Sequence, residues 1–112
     1  MAIVVTSNNS VSTAANTKSA DVITGRNQYV GKGRIQLFAR GSATGMNITL
    51  NVGGVALMDD NAIPFFGAAG SLDVNSHAVL DQVVAGGRVE MFLRNTTGGA
   101  LTTDYLVLFT PM

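Results

Sequence analysis

The stretch Asn47-Ile48-Thr49-Leu50-Asn51-Val52, followed by Gly53-Gly54 and then Val55-Ala56-Leu57-Met58, constrains the fold most. Apolar and polar residues alternate strictly up to the glycines, which is the period of a half-buried strand rather than of a helix. Gly-Gly between two such runs supplies the positive φ angles that a tight hairpin turn requires at its centre. A chain built around this unit is a β protein, and the rest of the sequence is read for strands that can cover it.

Such strands are present. Arg34 to Arg40 places Ile35, Leu37 and Ala39 on one face. Arg88 to Leu93 and Asp104 to Phe109 form two more strand patterns, joined by the turn sequence Asn95 to Ala100. In the last strand Leu106 and Leu108 oppose Tyr105, Val107 and Phe109, so both faces are expected to be covered. Between Leu72 and Asp81 the residues Leu72, Val74, Ala78 and Leu80 share one parity and read as a strand. Val79, Leu80, Val83 and Val84 also fit a short helix between Ser76 and Gly86. Asp59-Asp60-Asn61 reads as the start of a loop that Pro64 and Gly67 to Gly70 continue. Six or more short strands with glycine-rich turns and no long helix predict an all-β, antiparallel, jelly-roll-like sandwich. Residues 6–28 are rich in Ser, Thr, Asn and Ala without a lasting period. The expected organisation is therefore an extended N-terminal arm over residues 1–28 and a single β-sandwich domain over residues 29–112.

Composition then bears on function. Seven Lys or Arg and seven Asp or Glu stand among 112 residues, while 46% of the chain is hydrophobic. Charged residues make up about a quarter of ordinary domains, and a domain of this size cannot hide so much apolar surface by itself. Much of its outside is expected to face other protein. There is no cysteine, so neither a disulfide frame nor a thiolate metal site is available. No apolar run approaches the roughly 20 residues of a membrane span, and the beginning Met1 to Thr6 lacks the basic and long apolar segments of a secretion signal. No membrane partner is expected, and cytoplasmic synthesis is. The charges are also segregated. Residues 1–45 carry Lys18, Arg26, Lys32, Arg34 and Arg40 against Asp21, a net of +4; residues 46–112 carry Arg88 and Arg94 against Asp59, Asp60, Asp73, Asp81, Glu90 and Asp104, a net of −4. That asymmetry favours head-to-tail contact between copies, or a basic segment against nucleic acid. If a shell encloses a genome, residues 18–40 are the expected inward face.

Motifs for chemistry are sparse. His77, flanked by Asp73 and Asp81, belongs on a solvated strand face with Asn75; an acid-sensitive contact between subunits is its functional alternative. No Ser stands in a nucleophile-elbow sequence. Gly31-Lys32-Gly33 lacks the spacing and the hydroxyl residue of a phosphate-binding loop, so Lys32 and Arg34 are read as an edge-strand guard or a subunit contact. Asp59-Asp60-Asn61 offers carboxylates to calcium but lacks the alternating spacing of a calcium loop. Asn47-Ile48-Thr49 and Asn95-Thr96-Thr97 match glycan acceptors. Phe65-Phe66 is expected to plug the end of the sandwich or to touch a neighbour. The residues thus predict no catalytic, cofactor-binding or metal site, and no enzyme.

The second half resembles a jelly roll. Val83-Val84-Ala85-Gly86-Gly87-Arg88-Val89-Glu90-Met91-Phe92-Leu93 is similar to the entry into a late strand of trimeric C1q and tumour-necrosis-factor heads, with Gly87 where those heads carry Asp. Asp104 to Met112 is similar to their closing strand. The resemblance covers about 60 residues of pattern and implies a trimeric head that recognises carbohydrate or protein. The whole recipe of Ser/Thr/Asn/Ala arm, compact β domain, no cysteine and few charges resembles small phage coat and decoration (cement) proteins. That resemblance implies a virion structural protein, with copies of itself, expected as trimers, and other capsid subunits as partners.

Overall fold

A computed structural model describes residues 3–23, 28–63 and 78–112. Among the described residues the chain is all-β, with eight strands in two four-stranded antiparallel sheets. They are β1 (Ile3–Thr13), β2 (Tyr29–Val30), β3 (Gly33–Gly41), β4 (Met46–Val52), β5 (Val55–Ala62), β6 (Ala78–Val84), β7 (Gly87–Asn95) and β8 (Leu101–Pro111). One sheet has the order β1-β8-β3-β6 and the other β2-β7-β4-β5. The pairs nest: β1 pairs β8, β2 pairs β7, β3 pairs β6 and β4 pairs β5. The strands β8, β3, β7 and β4 are internal; β1, β6, β2 and β5 are the edges.

The alternation read from the sequence decides what is buried. Met46, Ile48, Leu50 and Val52 of β4 meet Val89, Met91 and Leu93 of β7 on the inner face of one sheet. Ile35, Leu37 and Ala39 of β3 stand beside Tyr105, Val107 and Phe109 of β8 on the other. Ile35, Leu37, Ile48, Leu50, Met91 and Leu93 are wholly inaccessible to solvent. Each such side chain contributes about 1.5–3 kcal/mol through burial, so this contact between layers is the main stabilising feature. Leu106 and Leu108 on the opposite face of β8 are only half-buried.

At the β4–β5 turn Gly53 (φ 60°) and Gly54 (φ 81°) adopt the two left-handed positions expected of them. Gly53 also touches the β6–β7 turn. A Cβ there would stand 2.5 Å from the carbonyl oxygen of Gly86, and a Cβ on Gly87 would stand 2.5 Å from the Gly53 Cα. Three glycines thus let two turns dock at one end of the sandwich, hereafter the glycine end.

Several elements differ from the sequence expectations. The N-terminal segment is extended but lies within the sandwich. Ile3–Thr13 is β1, and its Val5 is buried in the core. Its register against β8 shifts between Val4 and Thr6 and again between Asn8 and Val11, so no period of two survives in the sequence. Residues 16–22 run along the free side of β7: Asn95 N–H donates to Thr17 O, and Ser19 N–H and Val22 N–H donate to Leu93 O and Met91 O. Ser19 Oγ and Asp21 Oδ1 accept from Leu93 N–H and Met91 N–H, in place of main-chain carbonyls. The polar residues that suggested an arm complete this ladder. The expected loop at Asp59-Asp60-Asn61 lies inside β5 as a bulge. Asp59 and Asp60 together oppose Thr49, Asp60 takes φ 52°, and Thr49 Oγ1 accepts from Asp60 N–H. The helix between Ser76 and Gly86 does not form in the described part, which is β6. A shift opposite Leu37 and Phe38 inserts Val79, which sends Leu80 inward and Ala78 outward.

Candidate functional site

Two outer faces, four edges and one end are available to partners. The outer face of the β2-β7-β4-β5 sheet is polar. Asn47, Thr49 and Asn51 of β4 lie beside Arg94, Phe92 and Glu90 of β7. The Lys18 ammonium sits 4.9 Å from the centre of the Phe92 ring, within cation–π range. Arg94 and Asp60 close to 3.1 Å across this face, and Arg88 stands 3.6 Å from Asp21. The outer face of the other sheet carries Phe38, Leu106 and Leu108 between two ion pairs. Arg40 and Asp104 meet at 2.9 Å with side chains only 13% and 11% exposed. Arg34 and Asp81 form a two-point pair that is open to solvent. The Arg34 hydrogen bond holds the Asp81 carboxyl below its ordinary range against an opposing desolvation, and Asp81 in turn raises Arg34.

The apolar surface left to water lies elsewhere. Among the described residues the large exposed apolar side chains are Ile3, Val4, Tyr29, Val55, Val83 and Met112. Apart from Met112, all belong to the edge strands β1, β2, β5 and β6. All five also lie toward the glycine end. Ile3 is level with Phe109, Ile35 and Gln82. Tyr29 pairs Arg88, one step from the Val89–Val52–Val55 row. Val55 and Val83 border an open cleft of about 220 Å³ between the β5 and β6 edges, lined also by Val52, Leu57, Val84 and Ala85.

The residues singled out from sequence are dispersed. His77, Asp73, Asn75, Phe65 and Phe66 lie outside the described residues. Arg34 is on the internal strand β3, so it links β3 to β6 instead of guarding an edge; Lys32, just before β3, is exposed. Of the basic residues of 18–40, Lys18 lies on one sheet and Arg34 and Arg40 on the other, while Arg26 lies outside the described residues. Asp60 is engaged by Arg94, and Asp59 N–H donates to Asn61 Oδ1. Among the described residues no group of three or more His, Cys, Asp or Glu could hold a metal ion. Asn95, a sequence-matched glycan acceptor, is fully buried. Its Nδ2 donates to Thr13 O and Gly99 O, and its Oδ1 accepts from Thr97 N–H. It ties the end of β1 to the β7–β8 turn. The edge cluster escaped sequence reasoning because edge status depends on strand order. No helix among the described residues is long and apolar enough to cross a membrane. No family model, no curated protein and no solved structure matches the chain.

Proposed function

We propose that this chain is a virion structural protein, a small jelly-roll coat or decoration (cement) subunit that self-associates to build or reinforce a viral shell. The observation that carries this reading is that, among the described residues, the large exposed apolar side chains other than Met112 all stand on the edge strands. Edges are where a sandwich must be protected from pairing with other copies, and apolar edges suit permanent side-by-side packing. The nested order of strands supports the jelly-roll description, since it is that of a long hairpin rolled into two sheets. The work of such a subunit is mechanical: it holds neighbours at fixed angles. Electron microscopy of the purified protein, alone and with the shell it belongs to, tests the reading. Closed shells, or regular oligomers seated on a shell, support it; a monomer at every concentration, with no affinity for a shell, overturns it.

The polar outer face around Phe92 favours a second reading, a trimeric head that recognises carbohydrate or protein. An aromatic ring among Asn47, Thr49 and Asn51 provides both an apolar surface and hydrogen-bonding groups. Selective binding on a glycan array, lost in Phe92→Ala, would favour it over the shell.

A further inference from the structure

Apart from Met112, the large exposed apolar residues among those described fall into two groups on opposite edges at the same height. One edge carries Ile3, Val4 and Tyr29; the other carries Val55, Val83 and the cleft between β5 and β6. Tyr29, at 66% exposure, is a projecting ring. The cleft has a volume of about 220 Å³, and a cavity of about 150 Å³ already accommodates benzene. We propose that the partner of this cleft is a second copy of the chain, with Tyr29 of one copy seated between β5 and β6 of the next. The inference rests on the self-association proposed above and specifies its contact.

Height and charge both support this head-to-tail choice. Rotation about an axis parallel to the strands leaves heights unchanged, so it brings the Tyr29 edge of one copy level with its neighbour's cleft. Contacts of this kind close into a ring or continue as a lattice according to the angle between copies. Charge matches at a second height. Lys18 is level with Arg94 on the Tyr29 side, and Asp59 is level with Phe92 on the cleft side. The two rows are about 7 Å apart, within reach of a lysine side chain. Among the described residues neither Lys18 nor Asp59 has an ion-pair partner. Pairing an edge with itself about such an axis would instead bring Lys18 toward Lys18 or Asp59 toward Asp59.

The absence of cysteine makes a direct test simple. Copies carrying Gly31→Cys, which keeps Tyr29 and has open space at its Cβ position, and differently tagged copies carrying Val83→Cys are mixed, treated with a short bis-maleimide and resolved by mass. Both substitutions are at exposed positions, and circular dichroism checks their fold. Cross-links between unlike copies are the expected result. Like-with-like links, or no links while the unsubstituted chain remains assembled, overturn the head-to-tail contact but leave self-association standing. An unsubstituted chain that is monomeric throughout overturns both. Tyr29→Ala should weaken association roughly thirtyfold, as loss of a buried aromatic anchor does, without changing the spectrum of the folded chain. Unchanged association also overturns the proposal.

Discussion

At the residue scale the least replaceable side chains are small or polar. Gly53 combines φ 60° with a hypothetical Cβ only 2.5 Å from Gly86 O. Alanine there meets both the cost of the left-handed region and a backbone collision, so Gly53→Ala should destabilise the fold by about 2 kcal/mol or more. Gly54 has φ 81° with open space around its Cβ position and so carries only the conformational cost. Urea unfolding of the two variants should therefore rank Gly53→Ala well below Gly54→Ala; equal losses would mean that the docking of the two turns contributes nothing. Asn95→Ala removes the Nδ2 donor of the Thr13 carbonyl and the Oδ1 acceptor of Thr97 N–H at a buried position, while Gly99 O keeps the Thr97 hydroxyl. A loss of about 3 kcal/mol is expected, measurable in the same experiment.

At the element scale, internal strands were legible in the sequence and edge strands only in part: Val55 to Met58 read as a return strand, but its continuation to Ala62 did not. β4 alternates cleanly because it is paired on both sides and covered on one face, and β3, β7 and β8 owe their patterns to the same core. β1 and β5 pair on one side only. They accommodate bulges at Val5 and at Asp59-Asp60, which break the period of two by which a strand is recognised. β2 is two residues long and offers no period at all. The candidate contact surface was hidden for the same reason: Tyr29, Val55 and Val83 are ordinary apolar residues until the order of strands makes them edges. The Arg34–Asp81 pair belongs to this scale because it links β3 to the edge strand β6. Asp81 has a lowered pKa in the folded chain, so its contribution is complete above the unfolded carboxylate value and disappears as pH falls through the folded one. The pair is open to solvent, so the effect should be small and screened by salt. Melting temperatures measured against pH should show Asp81→Asn slightly below the unsubstituted chain at neutral pH and low ionic strength and level with it in acid, so that part of the acid dependence is lost. An undiminished acid dependence would assign it to other carboxyls.

At the scale of the whole molecule, the scarcity of charge and the position of the N-terminal segment have one explanation. A chain with so few charges cannot spare a polar segment to hang free, and here that segment protects backbone. Residues 3–13 pair with one side of β8, and residues 16–22 cover the free side of β7. Without β1, the amides and carbonyls of β8 on that side lose their partners. Val5 leaves the core and Asn95 loses the carbonyl of Thr13. Burial of one valine is worth about 1.5–3 kcal/mol, and each orphaned interior group costs about 1–3 kcal/mol. A domain whose total stability is about 5–15 kcal/mol does not survive several such losses. An arm over residues 1–28 beside a self-contained sandwich over residues 29–112, as the sequence pattern suggested, would be removable without unfolding that domain. The structure leads to the opposite expectation: deletion of residues 1–13 alone should abolish cooperative thermal unfolding and produce aggregation through the bared edge of β8. A deletion variant that melts sharply near the midpoint of the full chain would show that the sandwich closes without β1. The segment would then be free for exchange between subunits.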